Sequence, residues 1–209
     1  MPRSRNCRTT GSRVRRYRGG MRALRVLALA VTVGALGVAA VSCADSGSPA
    51  RSTAPTPVAP EGFDTAAVTI RRADGSLCEL CTYVARNEAE RSRGLMFATD
   101  LAGYDGMLFA FGLASPQSFW MRNTGLPLSA AWFAADGLLV SALDMDPCPA
   151  GEQSCPLYGP QEPVLHVLEV LRGDLERFGI TAGARLETVG APCRPNPDGI
   201  GLQTTGTAA

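Results

Sequence analysis

The sequence predicts a mostly β domain: a compact antiparallel β-sandwich or distorted barrel of about eight strands with two short helices. Three observations lead to this class. From residue 65 to 190, short runs rich in Val, Leu and aromatic residues alternate with turn residues. Asp74-Gly75 and Asp136-Gly137 each separate two such runs and predict tight type I′ hairpins. The helical patterns are too short to build a helical layer.

The individual elements follow from the same patterns. Asn87, with Glu90 three residues later, predicts a capping box for a helix over residues 88–93 that ends at Gly94. Asp174 predicts a cap for a second helix over residues 175–178, which Gly179 ends. The predicted strands are residues 68–72, 77–84, 107–111, 118–121, 130–134, 138–143, 164–171 and 185–189.

The N-terminal segment is typical of an export signal. An apolar run over residues 26–41 follows Arg22 and Arg25, and it is shorter than the roughly 20 residues needed to cross a bilayer. Met21 is an alternative start, and Arg15-Arg16 leaves a twin-arginine signal as an alternative. The run ends in Ala40-Val41-Ser42-Cys43, which resembles a lipobox and predicts lipidation of Cys43, although it also fits ordinary secretion.

These signals divide the chain into four segments. We expect a basic leader and signal peptide over residues 1–42 and a Pro/Ser-rich tether over residues 43–64. The β domain then spans residues 65–190, and a disordered tail covers residues 191–209. The predicted location is extracytoplasmic, with the protein anchored to the cell membrane through its lipid.

Charge excludes several classes of function. Residues 43–209 contain 11 Arg against 19 Asp and Glu, a net charge of −8, and no Lys. An acidic domain without Arg-aromatic clusters argues against nucleic acid as a partner. The absence of Lys excludes Schiff-base chemistry, P-loop phosphate binding and Ser-Lys catalysis.

The cysteines fit an exported protein. Cys148 and Cys155 flank a short loop, and we predict a disulfide between them. Cys78 and Cys81 form a C-x-x-C pair, which could be redox-active, but they lie in a predicted strand where residues three apart point to opposite faces. A bond from one of them to Cys193 is the structural alternative.

Six motifs follow one another in the predicted β domain. They are Glu90-Arg91 with Arg93-Gly94-Leu95-Met96, Gly106-Met107-Leu108-Phe109, Phe119-Trp120-Met121-Arg122-Asn123-Thr124, Pro127-Leu128 with Asp136-Gly137, Cys148-Pro149 through Cys155-Pro156 with Tyr158, and Leu168-Glu169-Val170. In this order they resemble the domain of unknown function 192 (DUF192) family over residues 68–189. The resemblance implies a compact, often exported β domain without an established activity. Ser129 stands where similar sequences frequently have Asp, and Arg122 where they often have Lys, which changes the donor geometry.

The strongest candidate for a functional site is a group of polar residues within otherwise apolar segments of the sequence. Glu169 lies in a strand whose two faces are mostly apolar, so it should point inward and need a cation, for which Arg122 and Arg93 are candidates. One interpretation is a structural Glu169–Arg122 ion pair that sets strand register. The other is a ligand-binding pocket formed by Trp120, Arg122, Asn123 and Glu169, with Arg93 nearby.

Catalytic chemistry has weaker support. His166 is the chain's single histidine, so no His-rich metal site and no zinc hydrolase is expected, and no G-x-S-x-G elbow accompanies it. Asp144, Asp146 and Glu152 are better read as solvated loop acids than as a calcium site. We therefore predict no catalytic residue, cofactor or metal, and a domain that binds a small ligand or an envelope protein. An envelope enzyme using Glu169 or Asp144 and a structural accessory subunit are the alternatives.

Overall fold

The computed structural model describes residues 58–195, which form nine strands and two short helices. The mostly β prediction is confirmed, and each of the eight predicted strands is present with ends shifted by a few residues. A ninth, β7, is only two residues long and was not predicted. In chain order the elements are β1 Asp64–Arg71, β2 Leu77–Ala85, α1 Glu88–Arg93, β3 Gly106–Ser115, β4 Phe119–Trp120, β5 Leu128–Phe133, β6 Leu139–Met145, β7 Leu157–Tyr158, β8 Val164–Leu171, α2 Asp174–Phe178 and β9 Arg185–Val189.

Seven strands form one mixed sheet in the order β6-β5-β8-β3-β2-β1-β9, and β4 pairs with β7 in a separate ribbon. The expected antiparallel arrangement is wrong at one pair, because β2 and β3 run parallel. Parallel neighbours need a crossover connection, which α1 and the segment after it provide. The sheet curls so that Leu139 N donates to Ala184 O at 3.0 Å. The edges touch there, but the sheet is not a closed barrel.

Both predicted hairpins form, but their turns differ from the expected type I′. Only the glycines, Gly75 and Gly137, have positive φ, at 81° and 84°. Each Asp accepts a bond from the amide two residues ahead, for example Ser76 N to Asp74 Oδ1 at 2.9 Å. An Asp that closes such a local ring keeps an ordinary φ, and the glycine alone takes the left-handed position.

The helix starts follow two different rules. At α1 the capping box is confirmed, since Glu90 N donates to Asn87 Oδ1 at 2.9 Å and Asn87 N donates to Glu90 Oε2 at 3.2 Å. At α2 the predicted cap is wrong: Gly173 is the N-cap, and Asp174 is the first helical residue. The Asp174 carboxylate accepts from Arg177 at 2.9 Å instead. Within residues 58–195, no helix is long and apolar enough to cross a membrane.

The sheet carries a separate apolar cluster on each face. Leu168 and Val170 of β8 join a cluster with Phe178 of α2, whereas Val167 belongs to the other cluster with Phe109 and Trp132. Side chains alternate between the two faces along a strand, so Glu169 lies on the same face of the sheet as Val167. The loop segment between α1 and β5 contributes Leu95, Leu101 and Met121 to the cluster on this face.

The predicted disordered tail is wrong at its first residues. A disulfide joins Cys193 to Cys81, and Ala67 N donates to Ala191 O at 2.9 Å. Residues 191–193 are therefore held against the sheet, since the disulfide ties them to β2 and the hydrogen bond ties them to β1. The leader, the proposed lipidation site Cys43 and residues 196–209 lie outside the described residues.

Two cysteine predictions are confirmed. Cys148 and Cys155 are bonded, and Cys81 bonds Cys193. The C-x-x-C pair therefore does not form a redox disulfide, since Cys81 is committed to the C-terminal segment. The last residues of the predicted tether also pack on the domain, where Val58 N donates to Thr99 Oγ1 at 2.8 Å.

Candidate functional site

Glu169 lies on an interior strand of the seven-stranded sheet. Its strand, β8, runs between β3 and β5, and Glu169 pairs with Met107 on one side and Ala130 on the other. The residue is 4 % exposed, and its carboxyl has no hydrogen-bond or ion-pair partner among residues 58–195. Burial raises the pKa of this carboxyl from 4.5 to about 8, so it is mostly protonated at neutral pH.

The carboxyl of Glu169 borders an open pocket of about 320 Å³. This pocket, which we call the Glu169 pocket, is walled by α1 and the turn after it, by β3, by residues 117–120 and by Thr124. Its volume is at the small end of the range for ligand sites, about 300–1,000 Å³. A buried acid therefore faces a space that a small molecule or a single side chain can enter.

Aromatic rings form much of the wall. Phe109 and Phe119 pack edge to face with their centroids 4.8 Å apart, and Phe119 meets Trp132 behind it at 6.0 Å. Trp132 Nε1 donates to Gln117 O at 3.2 Å, which ties the segment before β4 to the sheet. Trp120, which follows Phe119 in the chain, is 47 % exposed at the edge of the pocket. The pocket thus combines a rigid aromatic interior with an accessible indole.

Two arginines line the same pocket, but their guanidinium groups are held by other groups of the chain. Arg91 donates to the main-chain oxygen of Ala110 at 3.1 Å and stacks on Phe111, 5.2 Å from its centroid. Arg93 donates to Glu61 O at 2.7 Å and lies 4.2 Å from the Phe63 centroid. Neither forms an ion pair with Glu169.

The predicted Glu169–Arg122 pair is wrong. None of the six ion pairs among residues 58–195 includes either residue. Arg122 is exposed and lies 5.4 Å from the centroid of Trp120. It follows β4, which pairs with β7 outside the main sheet, so the chain carries the guanidinium away from β8.

The predicted site residues therefore divide among three places. Trp120, Glu169 and Arg93 line the Glu169 pocket, whereas Arg122 lines a second pocket of about 300 Å³ that shares Trp120. Asn123 lines neither. It has a left-handed φ of 55°, and its carbonyl accepts from Phe97 N at 2.8 Å, so it shapes the turn that joins the two pockets' walls.

Some lining residues were missed by the sequence argument, in particular Arg91, Phe111, Gln117 and Ser118. Arg91 belongs to the same motif as Arg93, so the sequence pattern could have indicated it as a lining residue. Gln117 and Ser118 carry no such signal, because they lie in an irregular segment whose direction is set by the bond from Trp132.

The other acidic candidates lie outside the Glu169 pocket. Asp144 is exposed; it accepts from Ser129 Oγ at 2.5 Å and lies 3.7 Å from Arg172 Nε. Asp146 pairs with the same arginine at 2.7 Å. His166 points to the opposite face of the sheet, where burial lowers its pKa. Within the described part of the chain, no three His, Cys, Asp or Glu side chains cluster as metal ligands would.

Two solved structures of similar proteins share the fold of this domain. A crystal structure from Sinorhizobium meliloti 1021, described as a candidate transcription regulator, is 33% identical with a TM-score of 0.54 and covers 61% of this chain and 96% of its own. A protein of unknown function from Novosphingobium aromaticivorans DSM 12444 is 29% identical with a TM-score of 0.54, covering 65% and 94%. No curated protein is significantly similar in sequence. The model of the DUF192 family, described as Uncharacterized ACR, matches residues 69–188, and the chain belongs to this family.

Proposed function

We propose that this protein is an extracytoplasmic, lipid-anchored binding protein whose β domain takes a small ligand in the Glu169 pocket. The observation that carries the proposal is the carboxyl of Glu169, buried and without a partner at the wall of an open pocket. The oxygens of this carboxyl are not among the buried side-chain atoms that lack a partner in residues 58–195, so they stay accessible from the pocket. A ligand that enters the pocket can therefore bond the carboxyl of Glu169 directly.

The proposed location is supported by the sequence. The apolar run before Cys43 has the length of a signal peptide, and the following segment is rich in Pro and Ser. The disulfides Cys81–Cys193 and Cys148–Cys155 are stable in oxidising compartments outside the cytoplasm.

An enzyme is the second candidate, and one observation favours it. A carboxyl with a pKa of about 8 is still protonated at neutral pH, as a general acid must be. Against this role, Asp144, the other proposed acid or base, does not line the Glu169 pocket. Ligand turnover that is lost in Glu169→Gln would favour the enzyme, and unchanged ligand recovered after incubation would favour the binding protein.

Ligand binding is tested with the full chain, purified in a non-ionic detergent and screened against metabolites by thermal denaturation. A ligand present at about 100 times its Kd should stabilise the protein by about 2.7 kcal/mol. We expect Trp120→Ala to abolish this stabilisation. Leu113→Ala, which removes a large exposed apolar side chain outside both pockets, is the control and should retain it. A screen without any stabilising compound would reject the binding function.

The anchor is tested separately by mass spectrometry of the mature N-terminus. We expect a chain that begins at an acylated Cys43, and a Cys43→Ser variant that is released from the membrane. An unmodified Cys43 in a freely soluble product would reject the lipid anchor but leave export and ligand binding intact.

A further inference from the structure

The charges around the Glu169 pocket indicate what kind of ligand it takes. The charged residues that line it are Glu169 itself and, on α1, Glu88, Arg91 and Arg93. The two guanidinium groups are held against main-chain oxygens and against the rings of Phe111 and Phe63. Of the two carboxyls, Glu88 is exposed at the rim and Glu169 is buried without a partner. When it is ionised, Glu169 is therefore a buried charge of the pocket lining that has no counter-charge bonded to it within residues 58–195.

The aromatic walls suit the same ligand. Met107 of β3 pairs with Glu169 of β8, and Phe109 pairs with Val167. Phe109 therefore lies diagonally across from Glu169, two residues further along and on the same face of the sheet. Such diagonal neighbours lie about 7–8 Å apart, within reach of an aromatic side chain. Ring faces attract cations, especially in sites shielded from water. The chain itself contains such a cation–π contact, between the guanidinium of Arg122 and the ring of Trp120. Trp120 is the residue that lines both pockets.

We propose that the Glu169 pocket binds a small organic cation, an alkylammonium or guanidinium group, whose charged end contacts Glu169 and whose stem packs between the aromatic walls. This assignment rests on the binding function proposed above and adds the class of ligand. The net charge of −8 on residues 43–209 favours the approach of such cations from solution. The cationic group belongs either to a free small molecule or to a Lys or Arg side chain of a partner protein.

Ionisation of Glu169 couples binding to pH. A cation needs the charged carboxylate, and that form becomes dominant only above a pKa of about 8. The titratable groups that face Glu169 across the pocket are those of α1, because β3, residues 117–120 and Thr124 contribute none to its lining. The affinity for a cation should therefore rise up to about tenfold for each pH unit from 6 towards 8 and then level off.

The test measures binding of four matched probes to the full chain in detergent by titration calorimetry at pH 6, 7, 8 and 9. Butylammonium and butylguanidinium are cations, N-butylurea is a neutral analogue of the second, and butyrate is an anion. We expect the cations to bind at least tenfold more tightly than the other two at pH 8. Glu169→Gln should lose at least tenfold in cation affinity and all of the pH dependence. Glu176→Gln on α2, against the opposite face, is the control and should behave like the parent.

Other outcomes separate the class of ligand from the function. Binding of the urea or of butyrate as tight as that of the cations overturns the cation assignment but supports a ligand site. Cation binding that does not change between pH 6 and 8 also overturns it, and this result needs only the parent chain. Failure of all four probes, when the metabolite screen finds a ligand that needs Trp120, overturns the cation assignment alone. Failure of that screen as well rejects the binding function.

A final arm identifies the source of the cation. A blocked Gly-Gly-Arg-Gly-Gly peptide presents the guanidinium on a protein backbone, and its Gln analogue is the control. Tighter binding of the Arg peptide than of butylguanidinium assigns the cation to a partner protein. Weaker binding assigns it to a free small molecule.

Discussion

The main-chain oxygen of Glu169 lies so close to Gly106 that a Cβ at residue 106 would come within 2.1 Å of it. Gly106 is the first residue of β3, and β8 packs against this end of the strand. The glycine is thus required by the close approach of two backbones and not by an unusual φ. The absence of a Cβ at residue 106 permits the backbones of β3 and β8 to approach this closely beside Glu169.

Substitution of this glycine should be costly. We expect Gly106→Ala to lower the free energy of unfolding by about 3 kcal/mol, because overpacking against a main chain cannot be relieved by a rotamer change. Gly112→Ala in the same strand is the control, since a Cβ there meets no atom within 4 Å. Its effect should stay within about 0.5 kcal/mol. Urea denaturation compares the two, and equal midpoints would contradict the close approach.

Glu169 should make stability depend on pH. The folded protein holds this proton up to about pH 8, whereas the unfolded chain releases it near the ordinary value of 4.5. Between these values unfolding releases a proton, so the free energy of unfolding should fall as pH rises, by up to about 1.4 kcal/mol for each unit. Glu169→Gln should remove this slope. Parallel slopes for both proteins from pH 5 to 8 would show that Glu169 ionises normally in the fold.

Glu169 and Arg122 should not be coupled. The structure places Arg122 on the surface beside Trp120 and gives Glu169 no ionic partner among residues 58–195. In denaturation midpoints, Glu169→Gln and Arg122→Met should therefore be additive within about 0.5 kcal/mol. Arg122→Met alone should change stability little, because the side chain is exposed. A coupling energy above about 1 kcal/mol would restore the ion pair that the sequence suggested.

The two disulfides should differ in their effect on stability. Cys81–Cys193 closes a sequence separation of 112 residues, and Cys148–Cys155 one of seven. Loss of loop entropy in the unfolded chain predicts about 5 kcal/mol for the first and about 2.5 kcal/mol for the second. Paired Cys→Ala variants, compared by urea denaturation, should follow that order. The reverse order would show that native-state contacts outweigh the entropy of the unfolded chain.

The sequence predicted the features that depend on neighbouring residues. The eight strands, the capping box of Asn87 and Glu90, the hairpins at Gly75 and Gly137 and the Cys148–Cys155 bond all follow from patterns a few residues long. Local steric and hydrogen-bond preferences act within that range. Two local predictions were wrong, the type I′ turns and the Asp174 cap. Both features are common for these residue patterns, but here the Asp side chains form other local bonds instead.

The inward direction of Glu169 was also readable, since period-two alternation in an apolar strand leaves it no polar face. Its surroundings were not. The order β3-β8-β5 joins strands far apart in sequence, and only that order brings Phe109, α1 and Glu169 to one pocket. Arg122 is closer to Phe109 along the chain than Glu169 is, yet the β4–β7 ribbon turns it outward. Sequence thus determined which side chain is buried, and strand order decided what faces it, because packing between distant segments leaves no short-range pattern.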